Sequence, residues 1–100
     1  MTETVRVSTA EVATENAASY MRKLCAHWSH KFAVTVEGDH GTIELPAARC
    51  DLRASSVLLT VRLELKEDAD EAQMRRVVEE HLQRFGFREE LVFLWNSNAE

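Results

Sequence analysis

The stretch "SVLLTVRLELK", residues 56–66, alternates between apolar and polar side chains over most of its length. Successive side chains of a β-strand point to opposite faces of the sheet, so this period of two predicts a strand with one buried face. The apolar side consists of Val57, Leu59, Val61, Leu63 and Leu65, and the polar side of Thr60, Arg62 and Glu64. Sheets with one apolar and one polar face are typical of antiparallel strands. The stretch therefore predicts an antiparallel sheet that is covered on one side only.

Further strands are predicted on both sides of this stretch. The segments "AVTV" (33–36) and "TIEL" (42–45) flank the turn-rich "EGDHG", which indicates a β-hairpin. The segment "RCDLRA" (49–54) follows the only proline and supplies another strand. A last apolar run, "LVFLW" (91–95), predicts a strand near the end of the chain. The sequence therefore predicts four consecutive strands and a fifth one further along.

Two helices are predicted around these strands. In the first, Ser8 and Glu11 form a capping box, and apolar residues recur at helical spacing up to Trp28, so that the helix ends near His30. The second helix covers residues 68–86 and begins at the N-cap Asp68. Two apolar helix stripes and one apolar sheet face are most simply buried together. The predicted fold is thus α+β, a two-layer structure with two helices on one face of an antiparallel sheet, in the order α-β-β-β-β-α-β.

Length and composition indicate a single globular domain. With 100 residues, 45% of them hydrophobic and 29% charged, the chain resembles an ordinary soluble domain. We predict a flexible N-terminus at 1–8, the domain at 9–96 and a tail at 97–100. The net charge of −5 argues against nucleic-acid or anionic-membrane binding. No segment resembles a signal peptide or a transmembrane helix, so a cytoplasmic location is expected.

The segment "LCAHWSHKF", residues 24–32, carries candidate metal or ligand residues. On a helix Cys25 and His27 lie about 160° apart, whereas His27 and His30 can share a face. A single metal site that uses the C-x-H-x-x-H spacing is therefore geometrically unfavourable.

A different metal site is predicted from residues that face inward on separate elements. His81 lies within the apolar stripe of the second helix, Cys50 shares strand parity with buried positions, and Cys25 borders the inward stripe of the first helix. A buried imidazole needs a hydrogen-bond partner, a metal or a ligand. If a metal binds Cys25, Cys50 and His81, sulfur and nitrogen ligands favour zinc or iron. The alternative is a structural core with a satisfied histidine and two apolar thiols.

Basic residues adjoin these segments despite the acidic total. Such residues form an anion-binding rim in one interpretation, because arginine recognises carboxylates through two hydrogen bonds. In the other interpretation they are solvated surface charges that pair with nearby acids. The candidates for the rim are Lys31, Arg49, Arg84 and Arg88.

The segments "LCAHWSHKF", "RCDL" and "HLQRFGFRE", with a tryptophan close to the C-terminal end, resemble the bacterial domain of unknown function 2218 family. The resemblance runs from about Glu11 to Trp95. The matching residues are Cys25, His27, His30, Lys31, Cys50, His81, Arg84 and Phe85. The chain departs from the family pattern in "PAAR", where Ala47 stands in place of a glycine after the proline. This family has no established reaction, and its association with siderophore-interacting ferric reductases implies a role in bacterial iron acquisition.

Three functional hypotheses follow. The first is a cytoplasmic accessory protein, not an enzyme, that binds a metal or an anionic iron chelate near the Cys/His cluster. The second is a protein–protein interaction module, a homodimer or a partner of a ferric reductase, which uses the open sheet edges and Leu58 on the polar face. The third is a thiol enzyme that uses Cys25 or Cys50.

Overall fold

The computed structural model of the protein describes residues 6–86 and 88–99. Within this part of the chain it contains six β-strands and two α-helices. In chain order they are β1 (Arg6–Ala13), α1 (Ala17–Trp28), β2 (Ala33–Glu37), β3 (His40–Glu44), β4 (Ala48–Ala54), β5 (Leu58–Leu65), α2 (Glu71–Phe85) and β6 (Leu94–Ala99). From α1 onward, the predicted order α-β-β-β-β-α-β is confirmed. β1 and β6 extend to Arg6 and Ala99, beyond the predicted domain limits of 9 and 96.

The strands form one sheet in the order β2-β3-β4-β5-β1-β6, and every neighbouring pair is antiparallel. Leu59, Val61 and Leu63 of β5 are completely buried on the face that the helices cover. The opposite face of the sheet carries polar side chains. The predicted fold class, an α+β structure with two helices on one face of an antiparallel sheet, is therefore confirmed. Val57 is the exception on the apolar side, because it precedes β5 and is 61% exposed.

The predicted hairpin joins β2 to β3. Glu37 pairs with His40, so Gly38 and Asp39 form a two-residue loop. Gly38 has φ +59° and supplies the left-handed conformation that such a tight loop needs. The hairpin fixes the register that places Ile43 on the buried face and Thr42 on the open face.

The predicted start of the first helix is wrong. Ser8 and Glu11 do not form a capping box, because they belong to β1, which lies between β5 and β6. Ser8 faces inward and is completely buried, and its hydroxyl accepts a 2.6 Å hydrogen bond from Nε of Arg75 on α2. Long-range strand pairing and this bond outweigh the local capping signal. The helix begins instead after Asn16.

Both helices end close to the predicted positions. α1 stops at Trp28, so His30 lies in the following turn and is exposed. α2 begins after Asp70, not Asp68, and the Asp70 carboxylate accepts a 3.1 Å hydrogen bond from the Gln73 amide. Within the described ranges, neither helix is long and apolar enough to cross a membrane.

The Arg75 side chain connects α2 by hydrogen bonds to β1 and β6, the two strands at one side of the sheet. Besides Ser8 of β1, its guanidinium donates to the Ser97 hydroxyl of β6 at 2.5 Å and to Glu71 at 3.1 Å. The same group lies 5.2 Å from the ring centroid of Trp95, a cation–π distance. α1 covers the other half of the sheet, where it packs on β2, β3 and β4.

Candidate functional site

The two cysteines face the core, as predicted. Cys25 of α1 is 2% exposed and Cys50 of β4 is completely buried, and both are free thiols. Burial raises the pKa of the Cys25 thiol. Burial, with smaller contributions from Asp51 and Cys25, raises the pKa of Cys50 far above its usual range. A thiol with a raised pKa is protonated at neutral pH and is a poor nucleophile and metal ligand.

Cys25 packs directly over Gly41 of β3, where α1 rests on the sheet. A Cβ atom placed on Gly41 of β3 would lie 2.6 Å from the Cys25 sulfur and 3.4 Å from Cγ of Met21. The absence of a side chain at Gly41 lets α1 sit directly on β3. The Cys25 sulfur fills the space above that glycine, so its contacts are those of a small apolar core residue.

His81 lies in the interface between the two helices. Its Nδ1 atom is 2.7 Å from the carbonyl oxygen of Val77, one turn earlier in α2. Its ring centroid lies 4.9 Å from that of Trp28 and 5.3 Å from that of His27. The ring of His27 also meets Phe85 edge-on at 6.1 Å. His81 is therefore a hydrogen-bonded residue of an aromatic cluster that joins α1 to α2.

The three inward residues do not assemble into a metal site. His81 packs against the outer side of α1, whereas Cys25 and Cys50 lie between α1 and the sheet. In the described part of the chain, no group of three or more His, Cys, Asp or Glu side chains is placed to hold a metal ion. The three residues predicted to bind one metal are therefore not brought together. All of them face inward, but His81 lies between the two helices and the cysteines lie between α1 and the sheet.

The predicted basic rim is divided between two faces. Arg49 lies on the open face of the sheet, on the side opposite the helices. Arg88 lines a cavity of about 320 Å³ between the start of α1 and the end of α2, together with Lys23. Lys31 and Arg84 are exposed on the helix side. Because α2 ends at Phe85, Arg84 and Arg88 are not on one continuous helix turn.

A polar cleft lies on the open face of the sheet, across β3, β4, β5 and β1. Its volume is about 440 Å³. The lining contains three arginines, one histidine and one carboxylate: Arg49, Arg53 and Arg62, His40, and Asp51, with Thr9 and Thr60 completing it. We call this group the arginine cleft. The strand register produces it, because Arg53 pairs with His40 and Thr60, and Asp51 pairs with Arg62.

Asp51 is at the centre of the arginine cleft and is only 16% exposed. Its carboxylate accepts a hydrogen bond from the Thr42 hydroxyl at 3.0 Å and lies 3.4 Å from Nε2 of His40. Arg62 and Arg49 approach it at 3.7 and 3.9 Å. One carboxylate thus lies next to one imidazole and two guanidinium groups. The side chain of Arg53 makes no hydrogen bond or ion pair with any residue that the structure describes.

A second polar centre is Glu89, which the sequence analysis did not identify. Its carboxylate accepts hydrogen bonds from the Thr14 hydroxyl, the Asn16 amide and the Tyr20 hydroxyl. These bonds, that from Tyr20 first, lower the pKa of Glu89. Burial and then Glu89 itself raise the pKa of the Tyr20 phenol. Glu89 therefore connects the segment before β6 to the start of α1. In the sequence, the available signal for this role was its position shortly after the predicted end of the second helix.

An apolar groove of about 300 Å³ lies near the C-terminal end of α1. Its lining consists of Trp28, Phe32, Leu45, Pro46, Ala47, Gln73, Met74 and Val77. This lining contains no charged side chain, so the groove suits an apolar group and not an anion. Ala47, the residue after Pro46, is part of this lining.

Residues 9–96 match the model of a bacterial family described as "Uncharacterized protein conserved in bacteria (DUF2218)". The chain belongs to this family. The resemblance inferred from the Cys, His and Arg pattern is thereby confirmed. Every candidate residue named above, from Cys25 to Glu89, lies within the range that matches DUF2218.

The chain is also similar to solved structures. The NMR structure of PA4090 from Pseudomonas aeruginosa has 37% sequence identity and a TM-score of 0.76. The similarity covers 94% of this chain and 97% of that chain, so the two proteins have the same overall fold. The comparison with curated proteins gave no match.

Proposed function

We propose that this DUF2218 protein is a non-catalytic binding protein that takes an anionic ligand in the arginine cleft. The observation that supports this proposal is the set of three guanidinium groups and one imidazole around a single 440 Å³ cleft. Guanidinium groups bind carboxylates and other oxyanions through paired, charge-assisted hydrogen bonds. A ligand with several anionic oxygens matches this lining better than a neutral one.

The charges of the lining favour an anion. Three arginines face one carboxylate, Asp51, whose own contacts hold Arg49 and Arg62 near the cleft. Glu44 and Glu64 approach Arg49 and Arg62 at 3.5 and 3.2 Å from the border of the cleft, but these pairs are about half exposed. Exposed ion pairs contribute little to stability, so an incoming anion can replace them at small cost. Arg53 needs no such exchange.

A binding role also agrees with the state of the thiols. Cys25 and Cys50 are buried with raised pKa values, which disfavours nucleophilic or redox work by either sulfur. The family resemblance suggests iron acquisition, in which the ligand is an anionic ferric siderophore and the protein acts in the cytoplasm. Siderophores present carboxylate or catecholate oxygens, the chemistry that arginine recognises.

The test is a calorimetric titration of the purified protein with each of three anions: ferric citrate, a ferric catecholate siderophore and iron-free citrate. We expect saturable binding of at least one of these anions. Replacing Arg53→Gln or Arg62→Gln should weaken it about tenfold, or roughly 1.4 kcal/mol. The control is Arg76→Gln, which removes the same charge from an exposed position of α2. Absence of binding by all three anions, or equal affinity in the Arg53, Arg62 and Arg76 variants, would refute the proposal.

A second candidate function is self-association or docking to a reductase through a sheet edge. It is favoured by β6, an edge strand whose Leu94 is 63% exposed on the open face of the sheet. Unpaired edge strands with apolar side chains are templates for strand addition. Sedimentation across a concentration series should then show a dimer that Leu94→Lys disrupts, and a monomer at every concentration would count against homodimer formation.

A further inference from the structure

His27 and His81 form a pair of imidazoles at the outer edge of the helix interface. His27 is exposed on α1, His81 is half-buried on α2, and their ring centroids are 5.3 Å apart. The rings are inclined by 50°, so they are not stacked on each other. This pair is not part of the arginine cleft, which lies on the other side of the sheet.

The hydrogen bond of His81 fixes which of its nitrogens can bind a metal. A carbonyl oxygen only accepts hydrogen bonds, so Nδ1 must carry the hydrogen that it donates to Val77. The neutral ring then has its free electron pair on Nε2. Metal-binding histidines commonly donate their second nitrogen to a carbonyl or carboxylate in this way, which sets both tautomer and ring orientation.

The distance between the two rings matches shared coordination of one metal ion. A metal–nitrogen bond is about 2.1 Å, and the nitrogen is about 1.1 Å from the ring centroid, so each centroid would lie about 3.2 Å from the metal. Two such vectors at the tetrahedral angle separate the centroids by about 5.2 Å. The observed centroid separation is 5.3 Å.

Aromatic neighbours hold both rings in place. Trp28 lies 4.9 Å from the His81 ring, and Phe85 meets the His27 ring at 6.1 Å. These contacts restrict the rotamers of the two imidazoles, which lowers the entropy lost when a metal binds. Because His27 is exposed, the remaining coordination positions are open to water or to an oxygen ligand.

We propose that His27 and His81 form a two-histidine site for a divalent transition metal, open to solvent and bridging α1 and α2. Imidazole ligands suit Zn²⁺, Ni²⁺ and Cu²⁺. The site differs from the cluster predicted from the sequence, since it uses no cysteine. It is independent of anion binding in the arginine cleft.

The test uses the metal alone, with Zn²⁺ and Ni²⁺ titrated into the intact protein and followed by calorimetry and by NMR of the imidazole nitrogens. We expect one equivalent to bind and to shift the signals of His27 and His81. His27→Gln should weaken binding at least about tenfold, because a single imidazole remains. The matched controls are His30→Gln, in the turn after α1, and His40→Gln, on the open sheet face.

A second measurement, the melting temperature, distinguishes loss of the metal site from a folding defect. A metal that bridges two helices stabilises the native state, so Zn²⁺ should raise the melting temperature of the wild type and of both control variants. The exposed His27→Gln variant should fold normally and show no such rise. Equal Zn²⁺ affinity in wild type and His27→Gln would overturn the proposal, as would an equal loss of affinity in His30→Gln or His40→Gln.

Discussion

Adding one methyl group at Gly41 should destabilise the protein through the Cys25 sulfur. The Cβ atom of Gly41→Ala would lie 2.6 Å from that sulfur, far inside normal contact, while the next neighbour, Cγ of Met21, is at 3.4 Å. In an unobstructed strand, replacing glycine by alanine gains about 0.5–1 kcal/mol. Overpacking of a rigid core costs roughly 1–3 kcal/mol. We therefore expect a net loss of about 1–2 kcal/mol in the free energy of unfolding.

A double-mutant cycle with Cys25→Ala isolates the cause. The single change Cys25→Ala removes a buried sulfur and should cost roughly 1 kcal/mol. In its background the 2.6 Å contact is absent, so Gly41→Ala should be neutral or stabilising. The resulting interaction energy should be about 1–3 kcal/mol, within the range for residues in direct contact.

Urea unfolding followed by tryptophan fluorescence measures all four proteins of the cycle. The slope of the free energy against urea should stay constant, which shows that only stability changes. The reasoning fails if Gly41→Ala costs the same with and without the Cys25 sulfur, or if Gly41→Ala alone is as stable as the wild type. Rescue by Cys25→Ala would establish Cys25 as a packing residue of the α1–β3 contact.

Three further predictions concern Glu89, the thiols and Arg75. Glu89→Gln should lower the free energy of unfolding by about 1–2 kcal/mol at pH 7, because the amide makes weaker hydrogen bonds. The folded-state pKa of Glu89 is lowered, so this stabilisation is present above the ordinary pKa of about 4.3 and is lost as the pH falls through the folded-state pKa. Wild type and variant should therefore become equally stable in denaturant titrations at acid pH. Neither Cys25 nor Cys50 should react with a thiol reagent faster than the protein unfolds, and rapid native-state labelling of either would contradict their burial. Arg75→Lys should cost about 1–3 kcal/mol, since lysine cannot bridge both strands, whereas Arg76→Lys should cost almost nothing in the same urea assay.

The elements that the sequence predicts well are those whose signal is local. The alternation around Val61 is strong because β5 has a buried and an open face over its whole length. The β2–β3 hairpin is marked by Gly38, whose left-handed conformation the loop requires. α2 carries an apolar stripe and an aspartate N-cap, although the cap is Asp70 and not Asp68.

β1 could not be assigned from local signals, because its stability depends on distant partners. Its inward residues Ser8, Ala10 and Val12 are small and include a hydroxyl, so the strand lacks the strong apolar alternation of β5. The Ser8–Glu11 spacing also fits a helix start. Pairing with β5 and β6, and the hydrogen bond from Arg75, decide the outcome. The β-branched residues in this segment were the available indication of a strand.

The candidate sites show what strand parity can and cannot reveal. Parity correctly places Cys50 inward and Arg62 outward, but it does not tell which residues become neighbours across strands. The arginine cleft exists because the register sets Arg53 beside His40 and Asp51 beside Arg62. Register depends on long-range pairing, so the sequence marks Arg49 as an anion-binding candidate but does not group it with Arg53, Arg62 and Asp51.

The two proposed sites are separated by the hydrophobic core, and this separation has a thermodynamic consequence. The buried side chains of β3, β4 and β5, including Ile43 and Leu52, lie between the His27–His81 pair and the open sheet face. Allosteric coupling requires two states of the protein that the two ligands favour differently. A tightly packed core between a rigid helix pair and a continuous sheet offers no evident second arrangement. Zn²⁺ should therefore leave the affinity of the arginine cleft unchanged once the binding of Zn²⁺ by citrate in solution is subtracted, and a remaining change in affinity would show that the two sites are coupled.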